Sequence, residues 1–416
     1  MASTRLTRTP SSTTNQKIWT FSVWLKRSGL TEEVIFNNKN TGGSGEELRL
    51  FFKDDDLKFQ SIAGGYDFQY ITNRKFRDTS GWYHIVCSVD TTQTTPADRI
   101  KIYVNGVQET SFSTATNPSS DVNLWWNTNT EFQIGSNQNP NDWFNGVMSH
   151  INNIDGTAYD ATAFGETDAT TGEWKIKTSP SVTYGTNGFF ILKNGNSVTD
   201  QSGNGNNFTV AGGTLTNTLD CPSNVFATLD AIQYKTSALT YSNGNTTVSF
   251  PGAWVFALSQ WGVSSGKWYW EAKCNSGNNA NSFYGICAEM VPAGNGFYNN
   301  SQNGAIMYKV GAGETYIDGS YNSSGYSPSI NNTDTVGLAL DLDSATKTLK
   351  IYKNGSLLTS GGTINLSSYY NDTLVFPCFS GNSSSASCSF NVNFGNGVFG
   401  TTAVTSAGTA GSTPGT

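Results

Sequence analysis

The chain has 416 residues, 44 of them glycine, with 13% aromatic and only 13% charged side chains and a formal net charge of -7. Such a chain lacks the clustered Lys and Arg that displace phosphate counterions, so nucleic acid is not expected as a partner. Its abundance of Gly, Asn, Ser and Thr disfavours helices and fits short strands joined by many turns, and its length accommodates two sandwiches of about 180 residues each.

The start, MASTRLTRTPSSTTNQK, has no apolar h-region, so no secretory signal is expected. The longest apolar runs, such as residues 254–258, are strand-sized and predict no membrane insertion. Phe21, Val23 and Leu25 share one face of the first clear strand. Segments 47–53 and 57–62 flank Asp54, Asp55 and Asp56 as a hairpin with three carboxylates at its tip. Hard oxygen ligands suit calcium, yet acidic residues also serve turns for conformational reasons, and a solvated turn is the preferred reading.

The next stretch, GWYHIVCSVDTTQTTPADRIKIYVNGVQ over residues 81–108, returns as DTVGLALDLDSATKTLKIYKNGSLL over 334–358. In both copies an alternating strand (Tyr83, Ile85, Cys87, Val89; Val336, Leu338, Leu340, Leu342) runs to an aspartate, Asp90 or Asp343. A second strand then closes on Asn105-Gly106 or Asn354-Gly355, whose residue types supply the positive φ values of a type I′ turn. As shared sandwich scaffold, the hairpins make Asp90 and Asp343 loop-shaping residues rather than ligands. Strands are predicted over 131–135 and 146–151, and one short helix over 157–165.

FSVWLKRS, FRDTSGWYHIVCSVD, RIKIYVNGV, FQIGS and FNGVMSHINNIDGTAY, in that order, resemble the successive strands of a laminin G-like, concanavalin-type jelly roll, and assign it residues 1–178. Residues 179–222, rich in Gly, Asn and Thr, are expected as an ordered connector pinned to a neighbouring sandwich by Phe189, Phe190, Ile191 and Phe208. Four further motifs, SGKWYWE, YGI, VGLALDLD with LKIYKNG, and NFG, resemble the SPRY domain and assign it residues 223–399. Residues 400–416 are low in complexity and are expected as a mobile tail. The resemblance implies an all-β chain, two antiparallel β-sandwich (jelly-roll) domains in tandem, the second of a kind that binds partners through its loops without catalysis.

Catalytic chemistry lacks its groups. His84, on the more polar face of a strand, and His150 are the two histidines, and neither has a patterned nucleophile. No Cys/His spacing matches a four-ligand zinc site, and no cofactor motif is present. Jelly-roll glycosidases resemble one another in a strand bearing E-x-D-x-x-E; the nearest string here is Glu166-Thr-Asp168, with the next glutamate at Glu173, in a turn-like setting. The six cysteines are expected as reduced thiols, Cys87, Cys274 and Cys287 as small buried hydrophobes, with Cys378 and Cys388 the one pair placed to meet across a hairpin.

Binding has better material. Trp125, Trp126, Asp142 and Trp143 occur in Asn-rich loops of the first module, and Tyr298, Tyr321 and Tyr326 in long loops of the second. Rings flanked by amides and carboxylates suit sugars, although the same residue types also fill sandwich cores. The pairing of laminin G-like and SPRY modules through an SGNGN connector resembles virion proteins of tailed bacteriophages that serve as tail or head fibres or capsid-surface appendages. That resemblance implies a structural virion protein, exposed on the particle, that binds other virion proteins or host cell-surface glycan. Fibre proteins are often homotrimers, but this chain has no heptad run that fixes an oligomer. A polysaccharide depolymerase and a bacterial lectin-like adhesin are the competing readings.

Overall fold

The computed structural model describes residues 4–40, 45–137, 142–232, 239–250, 255–277, 282–288, 305–310, 313–317, 320–323, 330–332, 334–368, 374–381 and 387–404. The chain forms two compact units, Met1–Asn217 with Cys221–Val225, and Thr218–Asp220 with Phe226–Thr416. Strands in both are antiparallel, and the fold is the tandem β-sandwich expected from the turn-rich composition.

In the first unit the larger sheet has eight strands in the spatial order Phe112–Thr116, Tyr66–Lys75, Asp56–Ile62, Glu47–Lys53, Glu33–Lys39, Phe132–Ile134, Arg5–Arg8 and Thr209–Ala211. The smaller sheet runs Phe189–Ile191, Gly146–Asp155, Ile18–Arg27, Tyr83–Asp90, Ile100–Val104 and Val107–Gln108. Alternate residues of each sheet, among them Phe21, Val23, Leu25, Leu48, Leu50, Phe59 and Cys87, fill a common core. The Trp19 and Trp126 rings stack at its centre, 4.8 Å apart, with Phe36 and Phe132 against them.

The outer face of the smaller sheet is also covered. A hairpin of Gly165–Thr167 with Trp174–Ile176 and the 3₁₀ turn Ala161–Ala163 bury Val86, Ile154 and Phe164 there. The helix expected over 157–165 is therefore only this single turn, capped where the Asp160 side chain accepts from the Thr162 N–H at 2.8 Å. His84, expected on a polar face, is wholly buried under the hairpin. Its Nδ1 accepts from Trp174 Nε1 at 3.0 Å and its Nε2 lies 2.9 Å from Ser22 Oγ, with the ring stacked on Trp24.

The segment expected as a connector is not a spacer throughout. Phe189–Ile191 pairs with Ile151, Asn152 and Asn153, and Thr209–Ala211 pairs with Arg5, Leu6 and Thr7, so both are strands of the first sandwich. Between them Asp200 organises the SGNGN turn. Its Oδ1 accepts from the N–H groups of Phe190 (2.8 Å) and Ser202 (2.9 Å), and its Oδ2 from Ser202 Oγ (2.7 Å) and the Asn206 N–H (2.9 Å). With four donors engaged, this carboxylate serves the fold. The low-complexity tail from residue 405 onward lies outside the described residues.

The second unit sets a sheet of Thr240–Ser242, Thr247–Phe250, Cys388–Asn393, Lys267–Gly277, Thr335–Asp341, Thr348–Lys353 and Ser356–Leu357, with Thr363–Asn365 also paired to Thr348–Lys353, against a six-stranded one. The six run Val255–Leu258, Phe376–Gly381, Ser282–Cys287, Ala305–Lys309, Glu314–Ile317 and Ser320–Ser323. Trp270, Tyr284, Leu338, Ile351 and Phe390 lie in the core, and Phe256, Phe283, Cys287, Met307 and Cys378 form a second buried layer. Cys378 and Cys388 thus sit on strands of different sheets in different apolar clusters rather than across a hairpin, and both are free thiols, as expected of the six cysteines. Cys378 has Cys287 as its thiol neighbour instead.

The repeated hairpin is built by one device in both units. Asn105 and Asn354 have φ of 47° and 49°, and the glycines after them 82° and 80°, as a type I′ turn requires. Each asparagine also reaches back: Asn105 Oδ1 accepts from the His84 N–H at 2.7 Å, and Asn354 Oδ1 from the Thr335 N–H at 2.8 Å. This common bracket makes His84 the counterpart of Thr335, and hence Asp90 the counterpart of Asp341, not of Asp343. Asp90 accepts from the Thr92 N–H at 3.0 Å and Asp341 from the Ser344 N–H at 2.9 Å, both folding their own loop. Asp343 instead accepts from the Gly266 N–H at 2.7 Å, tying two separate loops together.

Candidate functional site

The core side of the eight-stranded sheet being apolar, its other face carries what alternation leaves over. Register places Thr116, Gln69, Gln60, Arg49, Asn37, Gln133, Thr7 and Thr209 directly opposite one another, one from each strand, as a continuous polar row across all eight. Amides here meet each other and nearby acids: Gln69 Nε2 donates to Gln60 Oε1 at 3.2 Å, Asn37 Nδ2 to Glu47 Oε1 at 2.6 Å, and Gln133 Nε2 to Glu131 Oε1 at 2.6 Å. The Arg49 guanidinium lies over the Phe51 ring, 4.0 Å from its centroid, and 3.9 Å from Glu32, which also holds Lys53 at 2.8 Å.

Several polar groups on this face lack partners. Asn37 Oδ1, Arg49 Nε and Arg5 Nε are buried with no hydrogen bond, and Asn37 is 0% exposed. A buried polar atom without a partner costs about 1–3 kcal/mol, and these three atoms lie beneath the accessible surface.

The loop that leads into Gly146–Asp155 lies along this sheet. The Val34 N–H donates to the Asp142 carbonyl at 2.8 Å, and Asn137 Nδ2 donates to Asp142 Oδ2 at 2.8 Å. Asp142 has φ of 51°, a strained value for a non-glycine residue. Burial, and then the nearby Glu32 carboxylate, raise its pKa above the ordinary carboxylate value, while Arg49 and Lys53 oppose the rise. Next to it, Trp143 is half-buried with the Arg5 guanidinium 5.9 Å from its ring centroid. Asp142 and Trp143 are thus brought to the polar row.

The other expected contact residues fare differently. Trp126 is a core residue, 0% exposed, donating from Nε1 to Asn153 Oδ1 at 3.0 Å, and Trp125 packs half-buried against the same core. Both follow from the sandwich needing large apolar side chains where its end closes. Tyr321 lies on Ser320–Ser323, whereas Tyr298 and Tyr326 fall outside the described residues. The three aspartates at the hairpin tip point to separate cations: Asp54 to Lys58 (3.2 Å), Asp55 to Arg77 (2.7 Å) and Asp56 to Lys75 (2.6 Å). Asp54 and Asp55 have φ of 58° and 66°, so they serve the turn. Among the described residues no group of three or more His, Cys, Asp or Glu is placed to hold a metal ion. Glu166 and Asp168 lie on the covering hairpin, where Asp168 is engaged by Lys175.

His150 sits in a bulge of its strand with φ of 48°, its Nδ1 2.7 Å from Ser149 Oγ. Burial, with Lys193 nearby, lowers its pKa to about 4. The polar row itself was not singled out in the sequence. Alternating Glu47, Arg49, Lys58, Gln60 and Gln69 was the available signal, but joining them to Asn37, Gln133 and Thr7 needs the pairing of distant strands.

These two sandwiches define a tandem of β-modules. Comparison with known proteins agrees with the fold. Residues 2–157 match the family described as the Concanavalin A-like lectin/glucanases superfamily, and residues 267–397 match the SPRY domain. The chain therefore carries a laminin G-like, concanavalin-like jelly roll followed by a SPRY domain. Among solved structures it is similar to the SPRY domain of human HERC1, at 19% identity over 39% of this chain and 92% of that one, with a TM-score of 0.31. It is also similar to the PSpry domain of TRIM65, at 15% identity over 40% of this chain and 91% of that one, with a TM-score of 0.31. No curated protein matches the chain.

Proposed function

We propose that the chain is a non-catalytic binding protein whose first sandwich takes a polyhydroxylated ligand, a host-surface glycan, on the polar face of its eight-stranded sheet. The observation that carries this reading is the continuous eight-residue polar row, of which Thr7, Arg49, Gln69, Thr116 and Thr209 are accessible. Sugar hydroxyls both donate and accept, so one ring pairs with the Arg49 guanidinium and the Gln69 amide together. Trp143 beside Arg5 supplies a ring edge to the same ligand.

The biological setting we favour is a tail or head fibre or capsid-surface appendage of a tailed bacteriophage, exposed on the virion, with neighbouring virion proteins as the second class of partner. Support comes from the order of the two module types and their SGNGN link. A homotrimer is the assembly such fibres adopt, and sedimentation of the purified chain tests it. Glycan arrays and calorimetry with capsular or lipopolysaccharide fragments test the binding. Wild type is expected to bind and Arg49→Ala to lose at least tenfold, the one lost charged hydrogen bond counting for about 1.5–3 kcal/mol. Equal binding by both proteins refutes the site, and absence of the chain from purified virions refutes the setting.

One observation favours a second reading, polysaccharide cleavage: Asp142, with its raised pKa, feels both Glu32 and Glu47 on this face. Release of new reducing ends, abolished in Asp142→Asn, would establish it.

A further inference from the structure

The outer face of the larger sheet in the second sandwich brings together residues that strand pairing fixes in place. Trp270 and Ala272 point into the core from Lys267–Gly277, as Leu338 and Leu340 do from Thr335–Asp341, and Leu349 and Ile351 from Thr348–Lys353. Alternation turns the residues between them outward. Register then sets Glu271, Gly337 and Tyr352 opposite one another in one row and Tyr269, Ala339 and Lys350 in the next.

Contacts between these rows shape a shallow site. The middle strand contributes only glycine and alanine, so the face dips between its neighbours. The Tyr269 phenol leans into that dip: a Cβ on Gly337 would stand 2.4 Å from its Oη. Its hydroxyl donates to Glu271 Oε1 at 3.0 Å, and from the strand beyond, Asn393 Nδ2 donates to Glu271 Oε2 at 3.4 Å. The Tyr352 ring stands at 83° to the Tyr269 ring, with 6.3 Å between centroids. Tyr269 is still 46% exposed, so an aromatic ring held by three neighbours is left open to water.

Charge selects the ligand. The face carries Lys267, Lys273 and Lys350 against Glu271 and Asp341. Lys267 holds Asp341 at 3.2 Å, whereas Lys273 and Lys350 form no ion pair among the described residues. Tyr269 and Lys350 flank Ala339 on its two neighbouring strands, two strand spacings or about 10 Å apart. A pyranose bearing a carboxylate spans that gap, with a C–H face for the tyrosine and an anion for the lysine. A protein partner is a poorer fit, because stable interfaces cover about 800 Å² per partner around an apolar core, and this face is polar around one open ring. We propose that the outer face of this sheet binds an acidic glycan, a uronate-type pyranose stacked on Tyr269 with its carboxylate on Lys350. The site belongs to the second sandwich and does not depend on the polar row of the first.

The test uses the full chain carrying Arg49→Ala, which weakens the sugar site of the first sandwich, so that each site is read through its own variants. Calorimetry and saturation-transfer NMR follow titration with tetragalacturonate, a hyaluronan tetrasaccharide and neutral galactotetraose. Saturable binding of at least one uronate probe is expected, about fivefold or more tighter than that of the neutral probe and weakening as salt is added. Lys350→Gln should weaken the uronate about tenfold and leave any neutral binding unchanged, while Tyr269→Ala should abolish both and Tyr269→Phe should fall between. Gly337→Ala, whose methyl displaces the phenol without removing a group that touches the sugar, should weaken binding as well. Unchanged thermal unfolding of Tyr269→Ala shows that the fold is intact; where it changes, Lys350→Gln decides alone. Absence of saturation with both uronates overturns the proposal, as does equal affinity for the neutral probe or binding that survives Tyr269→Ala. Hexaglutamate binding as tightly as the uronates and insensitive to Tyr269→Ala also overturns it, and makes the face a surface for acidic peptides.

Discussion

Acidification should single out His84. In the folded first sandwich its ring is fully buried, and desolvation lowers its pKa to about 3 from an ordinary value near 6.5. Protonating Nδ1 would turn the acceptor of the Trp174 N–H into a donor facing a donor. The folded state therefore prefers the neutral ring. The stability this contributes is complete above the unfolded pKa, about 6.5, and is lost as pH falls toward 3, at about 1.4 kcal/mol per pH unit, or about 2 kcal/mol by pH 5. The wild-type curve alone does not isolate it, because burial pushes Glu33 up to about 8 against the lowering influence of Arg27. A carboxyl raised in the fold gains stability as pH falls from about 8 to 4.5, the opposite sign. The diagnostic quantity is the difference between wild type and His84→Gln, from urea unfolding followed by tryptophan fluorescence at several pH values. It should fall by about 2 kcal/mol between pH 6.5 and 5. A pH-independent difference would refute the reasoning.

Three further outcomes follow from the geometry. Trp126→Ala should destabilise the first unit by about 3–5 kcal/mol in denaturant melts, because it empties the centre of the core rather than removing a contact residue. Gly355→Ala, with φ of 80° and nothing within 4 Å of the added methyl, should cost about 1 kcal/mol, while Gly106→Ala, whose Cβ would lie 2.4 Å from the Trp174 ring, should cost about 2–4 kcal/mol. Comparing the two melts separates conformational cost from crowding. Alkylation of the native chain should label half-buried Cys221 first and reach the buried thiols, Cys378 and Cys388 included, only on unfolding, with the same intact mass under reducing and non-reducing conditions.

The fold was legible where side chains alternate or a turn has one chemical solution. Ile85, Cys87 and Val89 predicted their strand, and both Asn-Gly pairs their turns. What escaped was short or tertiary. Thr209–Ala211 is a three-residue strand with no pattern of its own, visible only beside Arg5–Arg8. His84 looks solvent-facing on its strand because the hairpin that covers it lies 90 residues further on. Trp126 and Trp143 each belong to an aromatic pair followed by asparagine and end in different places, since loop composition does not report which ring the closing core requires. Asp341 and Asp343, two residues apart, show the same limit. Only the asparagine bracket decides which of them shapes the loop.

That Arg5–Arg8 and Thr209–Ala211 are neighbours in one sheet has a consequence for how the first sandwich is bounded. The chain enters and leaves this module through adjacent strands, so a cut after residue 178 strips Phe189 and Phe208 from the core and shifts the sheet edge inward to Arg5–Arg8. A cut near Asn217 keeps both strands with the unit. A module with its entry and exit side by side can be exchanged whole by recombination, as a cassette, while the fold of the rest of the chain is left intact.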